Sequence, residues 1–287
     1  MNLPLLPGYA RKKVNLSSLR SIKLLLRKGG LHTVCEESRC PNIRECFRAS
    51  TATFMILGNR CTRLCGFCGV GKGMPDSVNP SEPDRIAGVA EALKLKYAIV
   101  TSVTRDDLED GGAMQFYLAT GAIKRRVPDA VVELLTPDFK GKEELLEIIC
   151  HSDMDVFGHN METVNRLYPY VRPGADYRRS LNILKFVHKQ RQNVIIKSGF
   201  MLGIGEKENE VKILLEDLLE AGCKVITIGQ YLRPSLECIP VQRYLVPEEF
   251  AQLKKTGEEM GFIRVVAGPF VRSSYRSESY FRELKIN

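Results

Sequence analysis

Short apolar runs alternate with helix-forming stretches through most of the 287 residues, and that alternation narrows the fold more than any other feature. Strands are expected over 53–57, 97–102, 130–136, 154–157, 194–198 and 224–229. Helices are expected over 82–94, 113–127, 142–150, 162–168, 177–190 and 207–221, several of them ended by Gly. Runs such as Val194-Ile195-Ile196 and Val225-Ile226-Thr227-Ile228 are apolar on both faces, as strands covered by helices must be. Six strand–helix units joined by right-handed crossovers give an α/β fold: a partial (β/α)6 TIM-like barrel, with its chemistry at the carboxyl ends of the strands. An open doubly wound sheet is the competing architecture.

The remaining segments attach to this core. Residues 11–31 read as a basic helix, with Leu16, Leu19, Ile22, Leu25 and Leu26 near helical spacing and Gly29-Gly30 as its stop. A helix over 247–260, a strand over 263–267 and a polar tail over 272–287 close the chain. With no linker, repeat or low-complexity stretch, 1–287 reads as a single domain. Its parts are an N-terminal extension (1–50), a barrel core (51–232) and a C-terminal extension (233–287).

No apolar run approaches the ~18 residues of a membrane span, so a soluble protein is expected. A net charge of +8 suits an anionic cofactor, an acidic protein or nucleic acid without choosing among them. Residues 1–34 hold several Lys and Arg but no Asp or Glu, a faint likeness to organelle targeting. A bacterial-type cytoplasmic protein is the preferred reading. Without a secretory h-region, the nine cysteines read as thiols or metal ligands rather than disulfides.

Six of those cysteines fall into two groups. Cys61, Cys65 and Cys68 are spaced C-x3-C-x2-C in the loop leaving the first expected strand. A zinc site would want a fourth Cys or His close by, and none follows. Three thiolates suit an iron–sulfur cube with one iron left open, shielded by Phe67 and approached by backbone at Gly66 and Gly69. Cys35, Cys40 and Cys46, spaced C-x4-C-x5-C, again lack a fourth short-range ligand, which disfavours a zinc knuckle or a disulfide-bonded loop and implies another cluster with a vacant or unusual fourth ligand. Cys150, Cys223 and Cys238 read as packing, and His32, His151, His159 and His188 as structural.

The C-x3-C-x2-C spacing resembles the motif of the radical S-adenosylmethionine enzymes, whose common fold is similar to the barrel inferred above. The resemblance implies that the open iron binds the amino and carboxylate groups of S-adenosylmethionine and that cluster reduction cleaves it to a 5′-deoxyadenosyl radical. It also suggests cofactor contacts. Thr104 and Arg105 would lie at the methionine end, although Arg105 could equally pair with Asp106 or Asp107. Gly203 and Glu206 would lie beside adenine, unless 199–206 is only a turn and cap. Glu133 and Asn160 would meet the ribose, unless they are buried and satisfied by protein.

A closer resemblance is to the lipoyl synthase family within that superfamily. It rests on the stretch from Gly30 to Cys46, on Thr101-Ser-Val-Thr-Arg-Asp-Asp-Leu108 with Gly111-Gly112, on Thr136-Pro-Asp-Phe139, on Ile228-Gly-Gln-Tyr-Leu232 and on Arg272-Ser-Ser-Tyr275. It implies two [4Fe–4S] clusters, one that binds S-adenosylmethionine and one auxiliary and sacrificial, the latter held by the N- and C-terminal extensions. The auxiliary fourth ligand would be Ser273, with Ser274 the alternative. The reaction implied is insertion of two sulfur atoms at C6 and C8 of a protein-bound octanoyl group. Implied partners are an octanoylated lipoyl carrier domain (a dehydrogenase complex E2 subunit or the glycine cleavage H protein) and a ferredoxin- or flavodoxin-type reductant, with no nucleic acid and no membrane.

This chain departs from the family pattern at Phe47, at Gly158 before His159-Asn160, at Cys238 and at Tyr275-Arg276-Ser277. Two other classes also use cysteine. An electron carrier with two clusters would supply four cysteines to each and would not need six strand–helix units. A zinc-stabilised nucleic-acid binder would show ligand sets of four and interleaved aromatics.

Overall fold

The computed structural model describes residues 7–10, 24–27, 29–37, 40, 42–48, 51–279 and 281. Of the basic helix expected over 11–31, residues 24–27 are helical and 11–23 lie outside the described residues. The strands are β1 (His32–Thr33), β2 (Thr51–Ile56), β3 (Arg60–Cys61), β4 (Gly71–Lys72), β5 (Tyr97–Ser102), β6 (Val131–Leu135), β7 (Val156–Gly158), β8 (Ile195–Leu202), β9 (Val225–Gln230) and β10 (Arg264–Gly268). Eight form one sheet in the order β1-β2-β5-β6-β7-β8-β9-β10, and β3 and β4 pair separately.

From β2 onward every pairing in the large sheet is parallel, and each strand is laid beside its predecessor. The growth direction never reverses, so there is no switch point of the kind a doubly wound sheet requires. Side-chain alternation gives the sheet two different faces. Phe54, Val100, Leu134, Phe157, Ile196 and Ile228 join one large core with helix residues such as Ile86, Phe116, Leu184 and Leu214. Tyr97, Ile99 and Val156 point the other way and form a second, small cluster with Phe281.

That second face is the inside of a curl. β2 and β9 are five strand spacings apart, on the order of 24 Å in a flat sheet. Yet Thr53 and Met55 of β2 and Thr227 and Gly229 of β9 line the same cavity of about 680 Å³. The sheet therefore bends into a partial barrel.

The helices Glu82–Ala92, Ala113–Arg126, Glu143–Cys150, Tyr177–Gln190 and Glu208–Glu220 fall where the sequence pattern puts them. Asp176 caps Tyr177–Gln190 by accepting from Arg179 N at 2.7 Å, and Ala113–Arg126 ends in Lys124, Arg125 and Arg126, which suit its dipole. The stretch 162–168 is not the helix expected. Glu162 takes a left-handed backbone (φ 65°) and bridges to Phe200, and helical turns start only at Asn165–Leu167 and Tyr168–Val171. β10, expected within the C-terminal extension, is the last strand of the main sheet.

Below the cavity the barrel interior carries a buried ion pair. Lys197 Nζ lies 2.8 Å from Glu133 Oε1 and 3.0 Å from Ser277 Oγ, and Tyr97 OH donates to Glu133 Oε2 at 2.7 Å. Phe281 stacks edge-on against Tyr97 with centroids 5.8 Å apart. The C-terminal tail thus runs from the strand ends, across the cavity at 271–274, down to the barrel floor. Gly229 permits its close approach, since a Cβ there would stand 2.2 Å from Val271 O. Among the described residues no helix is long and apolar enough to cross a membrane.

Candidate active site

The cavity opens at the carboxyl ends of the strands, and the loop carrying Cys61, Cys65 and Cys68 forms one wall. This loop is pinned along its length. Thr62 N and Oγ1 both donate to Thr104 O (3.1 and 2.9 Å), Gly66 N donates to Val171 O (2.9 Å), and Gly66 O accepts from Ile239 N (2.9 Å). Arg63 is buried and donates to Asp106 (2.7 and 3.0 Å) and to Asp138 (2.6 Å). Burial opposes charge on Asp138, but hydrogen bonds from Arg63 prevail and hold its carboxyl well below the usual range. Two backbone amides, Arg63 N at 3.4 Å and Thr104 N at 3.3 Å, point at Cys61 Sγ.

The second triad faces the same space from the N-terminal segment. Cys35 and Cys40 line the cavity, and buried Cys46 is close enough that its charge, with that of Cys40, adds to burial in raising the Cys35 thiol. Both ends of the chain meet here. Asn42 Nδ2 donates to Phe270 O at 2.6 Å, and Tyr275 OH donates to Glu45 Oε2 at 2.9 Å.

The donor set fits a cationic guest. Burial pushes the Cys68 thiol up to about 12, and burial likewise raises Cys65, so these groups become thiolates only when positive charge arrives among them. Among the described residues, no three His, Cys, Asp or Glu side chains gather closely enough to hold a single ion. Buried Ser102 Oγ and Thr136 Oγ1, both on the cavity wall, and Arg172 Nε have no protein partner, as a polar ligand would require.

A chain of polar groups crosses the cavity between the triads. Ser273 Oγ donates to Asn160 Oδ1 at 3.0 Å, and Asn160 Nδ2 donates to Glu162 Oε1 at 2.9 Å. Arg172 supports this row by donating to Asn160 O (2.9 Å), Met161 O (3.2 Å) and Tyr168 OH (3.0 Å). Burial raises the Glu162 carboxyl despite the nearby charge of Arg172, and Cys65 feels the charge of both.

Of the expected site residues, all six cluster cysteines, Ser273, Thr104 and Asn160 belong to this constellation. Cys46, buried beside Cys35, does not itself line the cavity, and four others do not line it either. Arg105 is buried against Asp107 (2.8–3.1 Å) and donates to Leu57 O, because its own loop folds Asp107 onto it while Asp106 is held by Arg63. Glu133 is fully buried on the barrel floor with Lys197 and Tyr97, because its strand position is one layer below the cavity. Glu206 accepts from the backbone of Gly203, Ile204 and Gly205, so 203–206 is a self-capped turn. Gly203 is required there by backbone at φ 94° and by Gln230 Nε2, which would stand 2.3 Å from a Cβ.

Glu162 and Arg172 are the additions. Arg172, the sole charge in Leu167-Tyr-Pro-Tyr-Val-Arg172-Pro, is a signal that sequence reading can use. Cys238 is buried as expected, and its thiol also donates to Cys68 O at 3.6 Å.

Residues 55–229 match the family model described as the Radical SAM superfamily. The chain is 51% identical over 264 residues to the lipoyl synthase of Aquifex aeolicus, covering 92% of this chain and 96% of that one. It is 50% identical over 272 residues to the lipoyl synthase of Rubrobacter xylanophilus, covering 94% and 85%. The chain belongs to the lipoyl synthase family. With membership come radical S-adenosylmethionine chemistry and, as cofactors, S-adenosylmethionine and [4Fe–4S] clusters. In fold it is similar to the crystal structure of methylornithine synthase (TM-score 0.57, 12% identity, covering 93% of this chain and 91% of that one). It is also similar to that of HydG, a maturase of the [FeFe]-hydrogenase (TM-score 0.57, 14% identity, covering 86% and 62%).

Proposed function

We propose that this chain inserts two sulfur atoms, at C6 and C8, into an octanoyl group held as an amide on a lysine of a lipoyl carrier domain. The observation that carries this reading is the convergence of Cys61, Cys65 and Cys68, of Cys35 and Cys40, and of Ser273 on one cavity. Cys61, Cys65 and Cys68 would hold the cluster that binds S-adenosylmethionine. Cys35, Cys40, Cys46 and Ser273 would hold the auxiliary one. When bound, these groups supply a 5′-deoxyadenosyl radical and sulfur, chemistry that no side-chain acid or base could perform on unactivated C–H bonds.

The protein's own part is placement. The Thr62–Thr104 and Gly66–Val171 hydrogen bonds fix the first triad, and the amides of Arg63 and Thr104 stabilise negative charge on Cys61 Sγ. Met55, Leu135, Phe200 and Met201 give the cavity apolar walls suited to an alkyl chain, and such walls keep water from a radical. A serine oxygen would be a weaker ligand for iron than thiolate, so Ser273, whose hydroxyl donates to Asn160 Oδ1 at 3.0 Å, would be the most labile of the auxiliary ligands.

The carrier is an octanoylated E2 subunit or H protein, electrons come from a ferredoxin- or flavodoxin-type donor, and the compartment is the cytoplasm, where thiols stay reduced. Anaerobic reconstitution tests the reading. Iron and sulfide near two four-iron clusters per chain support it, and stoichiometric zinc without visible absorbance contradicts it.

A further inference from the structure

The walls of the cavity mouth carry apolar side chains that face water. The loop 61–70 packs against both 168–171 and 233–239. A Cβ on Gly66 would touch Ile239 Cγ2 at 2.8 Å and Tyr170 O at 3.4 Å, and one on Gly69 would meet Pro234 at 2.8 Å. Each segment presents an exposed apolar residue: Leu64 is 63% exposed, Tyr170 54% and Leu236 71%, with Met74 at 80% just beyond β4. Single exposed apolar residues are ordinary, but four gathered on adjoining segments make a contact surface.

The same segments are strongly basic. Residues 58–75, 166–173 and 231–243 contain seven Arg or Lys and one carboxylate, Glu237. Arg166, Arg243 and Arg63 are paired with Glu210, Glu249 and Asp106/Asp138. Arg60, Lys72 and Arg233 have no carboxylate partner among the described residues. Lys72 and Arg233 also line the cavity, and the Arg233 guanidinium donates to Cys238 O and Leu236 O rather than to a carboxylate, so positive charge stands beside the cavity.

We infer that this collar, with Leu64, Tyr170 and Leu236 at its centre and Arg60, Lys72 and Arg233 around them, is the docking surface for an acidic carrier domain whose acyl-lysine enters the cavity. The inference rests on the function proposed above. An acyl-lysine arm is short, so the domain bearing it must sit on the rim it enters. An apolar centre with a basic border complements an acidic domain in both terms, the apolar contacts holding the complex and the charges steering its encounter.

The test compares two substrates of the same chemistry: a whole octanoylated carrier domain and a short octanoyl-lysine peptide, each with the cluster-loaded enzyme. Leu236→Glu combined with Met74→Glu alters two exposed side chains of the collar, neither of them adjoining a cluster cysteine. The double variant is expected to raise KM for the domain about tenfold and to keep kcat/KM for the peptide within about twofold. Adding salt should raise the wild-type KM for the domain but not for the peptide. Equal losses on both substrates, or an unchanged KM for the domain, overturn the docking surface. Failure of the unmodified enzyme to convert the peptide overturns the functional reading, and the surface with it.

Discussion

Ser273 and Asn160 are joined by a hydrogen bond of 3.0 Å that ties the C-terminal tail to the exit of β7. Through Glu162 the same row reaches the surroundings of Cys65. On this arrangement Ser273→Ala should lower sulfur insertion at least about tenfold while leaving deoxyadenosine formation nearly intact. Ser274→Ala should change neither. Quantifying both products for the two variants decides the assignment, and loss in the Ser274 variant alone would move the ligand one residue.

The two cysteine triads should separate by product. Cys61→Ala is expected to abolish cleavage of S-adenosylmethionine. Cys35→Ala should retain it and stop sulfur insertion. Chromatography of deoxyadenosine from each variant reads the difference, and the reverse pattern would exchange the roles of the two sites.

Strands such as Val225–Gln230 were legible because apolar runs between helices have no other place to go than a covered parallel sheet. The triads were legible because thiol density needs a metal. The two-residue β1 was not, since a pair of residues has no period. Nor was the fate of Arg105 or Glu133: a charge in a strand or loop shows its type but not its partner, and Asp107 and Lys197 are local and distant solutions to the same burial problem. Glu162 was hidden because a left-handed backbone at a non-glycine position leaves no mark in composition.

His159 should make stability depend on pH. Burial first, and the charge of Arg172 second, lower its pKa to about 4, and its ring meets Thr136 O and Ser180 Oγ at 2.9 and 3.1 Å. In the unfolded chain an imidazole titrates near ~6.5, so between those values the unfolded state binds more protons. Stability is full above ~6.5 and falls as pH drops toward 4, by roughly 3 kcal/mol at the limit. Denaturant unfolding at pH 7 and pH ~4.5 should show this slope and its loss in His159→Gln. An identical slope in the variant would contradict the assignment.

The ion pair on the barrel floor should behave as a buried pair does. Glu133→Ala leaves the Lys197 ammonium without its carboxylate and should destabilise by roughly 3–5 kcal/mol. Glu133→Leu with Lys197→Met should recover most of that loss, because neither charge then remains to be desolvated. Thermal or denaturant unfolding of the single and double variants measures it. A single variant as stable as the parent would mean that the pair is solvated.

The central claim is that the two triads serve one reaction on one acyl chain. Its most direct test is mass spectrometry of an octanoyl-lysine peptide incubated anaerobically with the cluster-loaded protein, S-adenosylmethionine and reductant. The expected product is a peptide heavier by two sulfur atoms, with deoxyadenosine released alongside. Deoxyadenosine without any sulfur gain on the peptide, from protein carrying both clusters, would contradict it.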